Sequence, residues 1–479
     1  MNGLGEPQAI KVHRLIVVGQ GAAGLCAAVS AMTSAHASGV DLSVTLLDAA
    51  PLADSGGNSR WSPSNIRLQA DHHVAPGFVD EVVAESGGLA DRDYFQQLAD
   101  QAPAMADWLV SLGVVFQSPP YYLAKGPARI QPVGGGAALL NALLARARDL
   151  GIALVDEFSL TQLLGDDVCV TGVVGTDAQG QTQTHHADAV VLACGGFQGN
   201  AAMRKQHLGA AAENYRLISQ GTAYNDGAGI RAALAIGAQA AGDWCTGHAE
   251  PVDPRSQNSA PVVLVYPYGV VVDAQGQRFF DEGAGLMHET WERFAHQMQF
   301  ELPGQQAYVI LDAKLLNIAD YARAIRSDVP PISAPTLEAL AQALGLPLAA
   351  LMDTIAAFNA ACPDDQHSFD PTVKDGLTST PVGQVPKSNW ARPIDQSPFL
   401  AWPLVGALVY TFGGLKTNAN AQVLSVKGPI CGLYAAGEIT GHFYQLAPNS
   451  VAMLRALVFG KIAGEQVVRD LLAGHAVRH

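Results

Sequence analysis

The sequence predicts an α/β protein: a parallel sheet with helices, a β-meander set into it, and an inserted α+β cap. Three observations carry that expectation. A β-branched run, Leu15-Ile16-Val17-Val18, leads into Gly19-Gln20-Gly21-Ala22-Ala23-Gly24 and then into small-residue helical spacing from Leu25. A second apolar run, Val44 to Leu47, ends on Asp48. Far along the chain, two more short runs stop at glycine: Ala189 to Cys194 at Gly195-Gly196, and Leu433 to Ala436 at Gly437-Glu438. Continuous apolar runs of this length read as strands buried on both faces, which is the signature of a parallel sheet.

The glycine pattern has a physical reason. The first glycine makes a tight turn, the second lets backbone N–H groups reach a pyrophosphate, and the third lets the helix settle on the strand. The helix N-terminus then presents partial positive charge to phosphate. Asp48 is placed to accept from ribose hydroxyls, with Ala49 beside it. In a chain with 49 glycines the hexapeptide alone is weak. Strand, glycines, helix, second strand and acid together specify a Rossmann-like dinucleotide site at Gly19, Gly21, Ala22, Ala23, Gly24, Asp48 and Ala49.

The polar run Ala53 to Ser62 follows the acid and is expected to wrap the cofactor through Ser55, Gly56, Gly57, Asn58 and Ser59. Residues 90–113 have helical spacing, and Pro119-Pro120 then delivers Tyr121 and Tyr122. Gly134-Gly135-Gly136 opens a helix with apolar residues at 139, 140, 143 and 144. From 151 to 192, short strands separated by Gly165-Asp166-Asp167 and Asp177–Gly180 read as a meander that ends beside the cofactor at Ala193 and Gly195. Composition shifts after residue 240 toward Pro, Trp, Tyr, Phe and His. There a hairpin is expected at Ala274-Gln275-Gly276-Gln277, and a helical pair at 336–345 and 347–361. The expected division is 1–240 for the first part of the dinucleotide domain, 241–405 for an inserted substrate cap, and 406–479 for the return. The returning strand ends at Gly437 and Glu438, and a helix over 450–473 follows, with Ser450 as its N-cap and Val451 at its start.

Composition narrows the rest. At 479 residues and 49% hydrophobic content, the chain supports two or three domains with a large core. A net charge of −15 without a basic patch argues against nucleic acid as a partner. The six cysteines are scattered, so buried free thiols in a reducing compartment are expected. No apolar run reaches membrane-spanning length, no metal-ligand spacing stands out, and the first thirteen residues read as a loose leader. A cytoplasmic location is the expectation.

Taken together, Gly19–Gly24, Ser55–Ser59, Gly134–Leu140, Ala193–Gly196, Asn225-Asp226-Gly227, Gly276–Glu282 and Gly432–Gly441 resemble the FAD-binding family of fumarate reductase and succinate dehydrogenase flavoproteins, tricarballylate dehydrogenase and 3-ketosteroid dehydrogenases. The resemblance covers nearly the whole chain. His248–Arg255, Tyr266–Gly283 and the spacing from Tyr444 to Gly460 look most similar to tricarballylate-dehydrogenase-like members. It implies FAD, held also by Asn225, Asp226, Gly437, Glu438, Ser450 and Val451, and hydride transfer between a substrate C–C bond and the flavin. Members with covalent FAD carry a histidine in the stretch matching Gly57–Ser62. None stands there, so non-covalent FAD is expected.

The active-site residues depart from the fumarate reductase pattern. His248 matches that family's first substrate histidine, but Tyr410 stands where the second belongs. Neither of the two arginines has a match: Gly283 to His288 follows Glu282, and Tyr444 to Asn449 follows the Gly-Glu-Ile-Thr-Gly stretch. Arg455 lies within the following helix and is expected to be structural. Losing charge-assisted partners disfavours a small dicarboxylate. Gly441-His442-Phe443-Tyr444 instead resembles the ketosteroid dehydrogenase stretch whose tyrosine holds the substrate carbonyl. The expected reaction is α-proton abstraction and β-hydride loss next to a ketone, such as a cyclic oxo-acid or steroid-like ring, with an external electron acceptor. Tyr444 is the expected carbonyl donor; Tyr410, Tyr121 and Tyr122 are candidates for the base, and His248 completes the set. The alternatives are a tricarballylate- or fumarate-type carboxylate enzyme, and a flavoprotein subunit that only passes electrons.

Overall fold

The computed structural model describes residues 12–121, 126–364 and 369–474. The apolar runs lie side by side. His13–Val18 pairs in parallel with Leu42–Leu47 on one side and with Ala189–Leu192 on the other. Ala153–Val155 extends the sheet beyond Leu42–Leu47, and Gly428–Ala435 extends it beyond Ala189–Leu192. Gln422–Ser425 closes that edge antiparallel. Leu15, Val17, Val190, Val191 and Leu433 are all 0–1% exposed, because helices and meander cover both faces. The carboxyl ends of the strands, at Gly19, Asp48, Ala193 and Gly437, therefore converge on one crevice, where open α/β sheets bind ligands.

Two helices cross against that crevice, Ala22–Ser38 and Val451–Leu472. They approach closely through glycine. A Cβ on Gly460 would lie 2.4 Å from the Ala23 carbonyl oxygen, and one on Gly464 would lie 2.2 Å from that of Ala27. The contact brings both N-termini to the same cavity. Ser450 does not cap its helix as expected. It sits at φ 59 with its hydroxyl donating to Asn449 Oδ1 at 2.7 Å, which leaves the first-turn N–H groups without a side-chain cap.

The meander is a three-stranded antiparallel sheet of Ser159–Gly165, Val170–Thr176 and Thr182–His186. A second sheet is built on the thirteen-residue strand Phe399–Thr411. Gly247–Val252, Gln306–Leu311 and Ile332–Ala334 pair with it antiparallel and Arg216–Leu217 pairs parallel; Val270–Val272 pairs in turn with Gln306–Leu311. The long strand thus runs from the second sheet to the crevice of the first. Leu337–Leu344 and Leu348–Ala360 form the expected helical pair. Helix Met287–Glu301, which no expectation covered, packs across the second sheet.

The expected hairpin at 274–277 is only a turn. Asp273 N–H donates to the Gln277 carbonyl at 2.9 Å, but after it a lone bridge, Val272 to Arg278, replaces a second strand. The reason lies in Arg278, whose guanidinium turns inward to Glu282 at 2.6 Å with both side chains 0% exposed. Glu282 also accepts the Val271 N–H at 2.7 Å. Glu282→Ala leaves the buried Arg278 guanidinium without its counter-charge and the Val271 N–H without its acceptor. It is expected to destabilise the fold by about 3–5 kcal/mol, read as a lowered thermal midpoint; an unchanged midpoint would refute the assignment.

Candidate active site

One cavity of about 600 Å³ runs from the strand ends into the second sheet. At its deep end Gly19 adopts φ 110, and a Cβ there would lie 2.3 Å from the Ala193 carbonyl oxygen. A Cβ on Gly24 would lie 1.8 Å from the Gly19 carbonyl oxygen. Only glycines allow this turn, and it opens room beside Gly21, Ala22 and Ala23. Asp48 holds the neighbouring strand end: its carboxylate accepts Gln20 N–H at 2.6 Å and Ala50 N–H at 2.8 Å. Burial raises its pKa, and those two N–H groups oppose the rise.

Most of the predicted cofactor residues meet here. Gly19, Gly21, Ala22, Ala23, Asp48 and Ala49 line the cavity, as do Gly57, Asn58 and Ser59 from the helical turn Gly57–Trp61. Ala193, Gly195, Asn225 and Asp226 form another wall, and Gly437, Glu438 and Ser450 a third. Four lie behind that lining. Gly24 packs on Gly19, Gly56 on Leu140, Ser55 donates to the Leu52 carbonyl at 3.0 Å, and Val451 is 0% exposed. Glu438 is fixed by Thr411 N–H at 2.9 Å and Gln198 Nε2 at 3.1 Å, and burial raises its carboxyl pKa.

Arg455, expected to be structural, also lines the cavity. It is 0% exposed and stacks its guanidinium 3.8 Å over the Phe443 ring, with Nη1 donating to the Thr440 carbonyl at 3.1 Å. Its Nε and Nη2 have no partner among the described residues. Two unpartnered buried donors, a glycine cradle and two helix N-termini fit an acceptor-rich dinucleotide flavin.

The predicted catalytic residues divide. Tyr410 lines the cavity and stacks on His248, with ring centroids 5.0 Å apart. Burial, then the nearby Glu292 carboxylate, raises its phenol well above the usual range, so it is a donor. His248 Nδ1 bonds Glu292 and Nε2 lies 3.5 Å from Glu250 Oε1. Burial alone pulls this imidazole down, but Glu292 and Glu250 outweigh it and hold it up at about 10. It is therefore an imidazolium between two carboxylates at neutral pH. Tyr444 stands off the cavity, with its hydroxyl accepting the Gly242 N–H at 3.1 Å. Gly441 pins that loop, since a Cβ there would lie 2.0 Å from the Ala241 carbonyl oxygen. Tyr121 also lies behind the lining, under the Arg129 guanidinium at 3.8 Å, and donates to Asn449 Oδ1 at 3.2 Å. Tyr122 lies outside the described residues.

Sequence reasoning missed Glu250, Glu292, Arg67, Arg129 and Arg326, all of which line the cavity. Arg67 pairs with Glu81 at 2.5 Å, whereas no carboxylate pairs with Arg326 among the described residues. Glu250 was within reach, because residues i and i+2 of a strand share a face and His248 was already marked. The arginines come from separate segments and leave no local signal.

The model of a family described as FAD binding domain matches residues 14–451. The chain belongs to this family of FAD-dependent oxidoreductases. Among its relatives is a probable fumarate reductase of Shewanella frigidimarina, 28% identical over 96% of this chain and 75% of that protein. The 4-oxocyclohexanecarboxylate 2-dehydrogenase of Sinomonas cyclohexanicum is 29% identical over 70% of this chain and 61% of that protein. Two other relatives are longer, and the chain spans 36% and 48% of them. A flavocytochrome c3 fumarate reductase structure superposes with a TM-score of 0.76 at 24% identity, over 98% of this chain and 79% of that one, which shows the shared fold. The cofactor of this family member is FAD. Among the described residues no helix is long and apolar enough to cross a membrane, and no His, Cys, Asp and Glu cluster could hold a metal.

Proposed function

We propose that this flavoprotein is a dehydrogenase that desaturates a C–C bond next to a ketone carbonyl, with a cyclic oxo-acid as the substrate class. The observation that carries the reading is Tyr410, a neutral phenol on the cavity wall beside the His248 imidazolium. A phenol O–H donates to a carbonyl and stabilises the enolate better than it grips a carboxylate. We assign the carbonyl to Tyr410 because its ring lines the cavity, whereas Tyr444 lies outside that lining. The Arg326 guanidinium, which has no carboxylate partner among the described residues, supports a carboxylate elsewhere on the substrate and disfavours a wholly apolar ring. The 4-oxocyclohexanecarboxylate 2-dehydrogenase relative supports the same class.

FAD supplies the hydride acceptor. The chain's residues do the rest. The glycine turn and Asp48 hold the dinucleotide, Tyr410 orients the carbonyl, and the segment 241–405 acts as the cap that brings His248, Glu250 and Glu292 over it. The fumarate- or tricarballylate-type reading is favoured by the cations Arg67, Arg129, Arg326 and Arg455 at the same cavity. Anaerobic mixing with 4-oxocyclohexanecarboxylate is expected to bleach the flavin, and tricarballylate or succinate is not. Bleaching by the carboxylates alone ends the ketone reading. FAD is non-covalent in this proposal, since Gly57–Ser62 offers no histidine. Acid precipitation is expected to leave the yellow colour in the supernatant, and colour in the pellet refutes it. A cytoplasmic location and an external electron acceptor belong to the same proposal.

A further inference from the structure

We propose that Glu250 is the base that takes the substrate's α-proton, with His248 and Glu292 as its positioning residues. This rests on the ketone reading above. Strand Gly247–Val252 pairs antiparallel with Phe399–Thr411, with a register shift between His248 and Ala249, and His248 and Glu250 both line the cavity. The imidazole is held at Nδ1 by Glu292 and approaches Glu250 Oε1 at 3.5 Å. Glu292 is thus occupied by its bond to the ring, while Glu250 has only this longer contact among the described residues. The Glu250 side chain is also more open, at 19% exposed against 12%. Glu250 is therefore the carboxyl group of the cluster that is open to the cavity.

Two of the candidate phenols do not compete for this role. Tyr410 is the donor, and Tyr121 is committed to Asn449. A carboxylate base paired with a phenol donor is a combination known to abstract protons next to ketones. In the step, the α C–H bond breaks and an O–H bond forms on Glu250. The C–H electron pair becomes the enolate, whose oxygen Tyr410 holds. The proton later passes from Glu250 to solvent.

Proton abstraction alone can be read without hydride transfer, as exchange of the α-hydrogens of 4-oxocyclohexanecarboxylate in D2O, followed by NMR on the FAD-loaded protein. Wild type is expected to catalyse exchange. Glu250→Gln is expected to slow it about 10²–10⁴-fold while retaining FAD. Glu250→Asp is expected to restore part of the rate, and Glu292→Gln to shift the pH profile of exchange. Should Glu250→Gln lose FAD, Glu250→Asp carries the test, with exchange at least tenfold slower than wild type. Exchange that persists undiminished in both Glu250 variants overturns this assignment and leaves the ketone reading intact. No exchange in wild type overturns both.

Discussion

Gly24→Ala is expected to yield a colourless protein. A Cβ at this position would lie 1.8 Å from the Gly19 carbonyl oxygen and 3.3 Å from the Ala193 Cβ. The first atom is backbone, so no side-chain rotation relieves the clash. The helix Ala22–Ser38 would have to lift off the strand, or the turn at Gly19 would have to open. Either movement displaces the N–H groups of Gly21, Ala22 and Ala23 at the cavity wall. The helix cannot retreat freely, because Gly460 and Gly464 lock its other face against Val451–Leu472. Overpacking of a tight contact typically costs about 1–3 kcal/mol, and here it falls on the binding loop itself. The measurement is the ratio of flavin to protein absorbance after gel filtration. A variant that keeps its full FAD complement would refute the role given to this turn.

Tyr410→Phe is expected to slow flavin reduction about 10²–10³-fold, since one oxyanion donor is typically worth about 2.7–4 kcal/mol. The substitution keeps the ring that stacks on His248 and removes only the hydroxyl. FAD content and ligand affinity should therefore change little, and the loss should appear in the rate of the reductive half-reaction. Rapid mixing under anaerobic conditions separates these quantities. A rate within a few-fold of wild type would return Tyr410 to a packing role and remove the main support for a ketone substrate.

The cofactor half of the site was legible because its chemistry is local. A strand-to-helix turn and a helix N-terminus are specified within Gly19 to Gly24, and Asp48 follows on the adjacent strand. The helical pair at 337–360 and the meander followed from apolar spacing in the same way. The substrate half was legible only in part. His248 and Tyr410 were marked, but their contact exists because Gly247–Val252 pairs with Phe399–Thr411 across more than 150 residues of chain. Tyr444 was marked as the carbonyl donor, and a sequence match does not encode where its loop turns. Here Gly441 packs on the 241–242 backbone and carries the tyrosine away.

By itself, then, the sequence determined the α/β frame and the glycine turn of an FAD-binding family, because each depends on residues within one or two elements. Only the tertiary structure decided the electrostatics of the cavity. Arg455 looked structural from its place in a helix, yet its position turns two unpartnered donors into a buried cavity wall. Glu250 and Glu292 come from a strand and a helix, and their charges act on His248 only once folding removes the water between them. Charge at a site is set by which groups burial brings within a few ångströms of each other, and that distance is a property of packing.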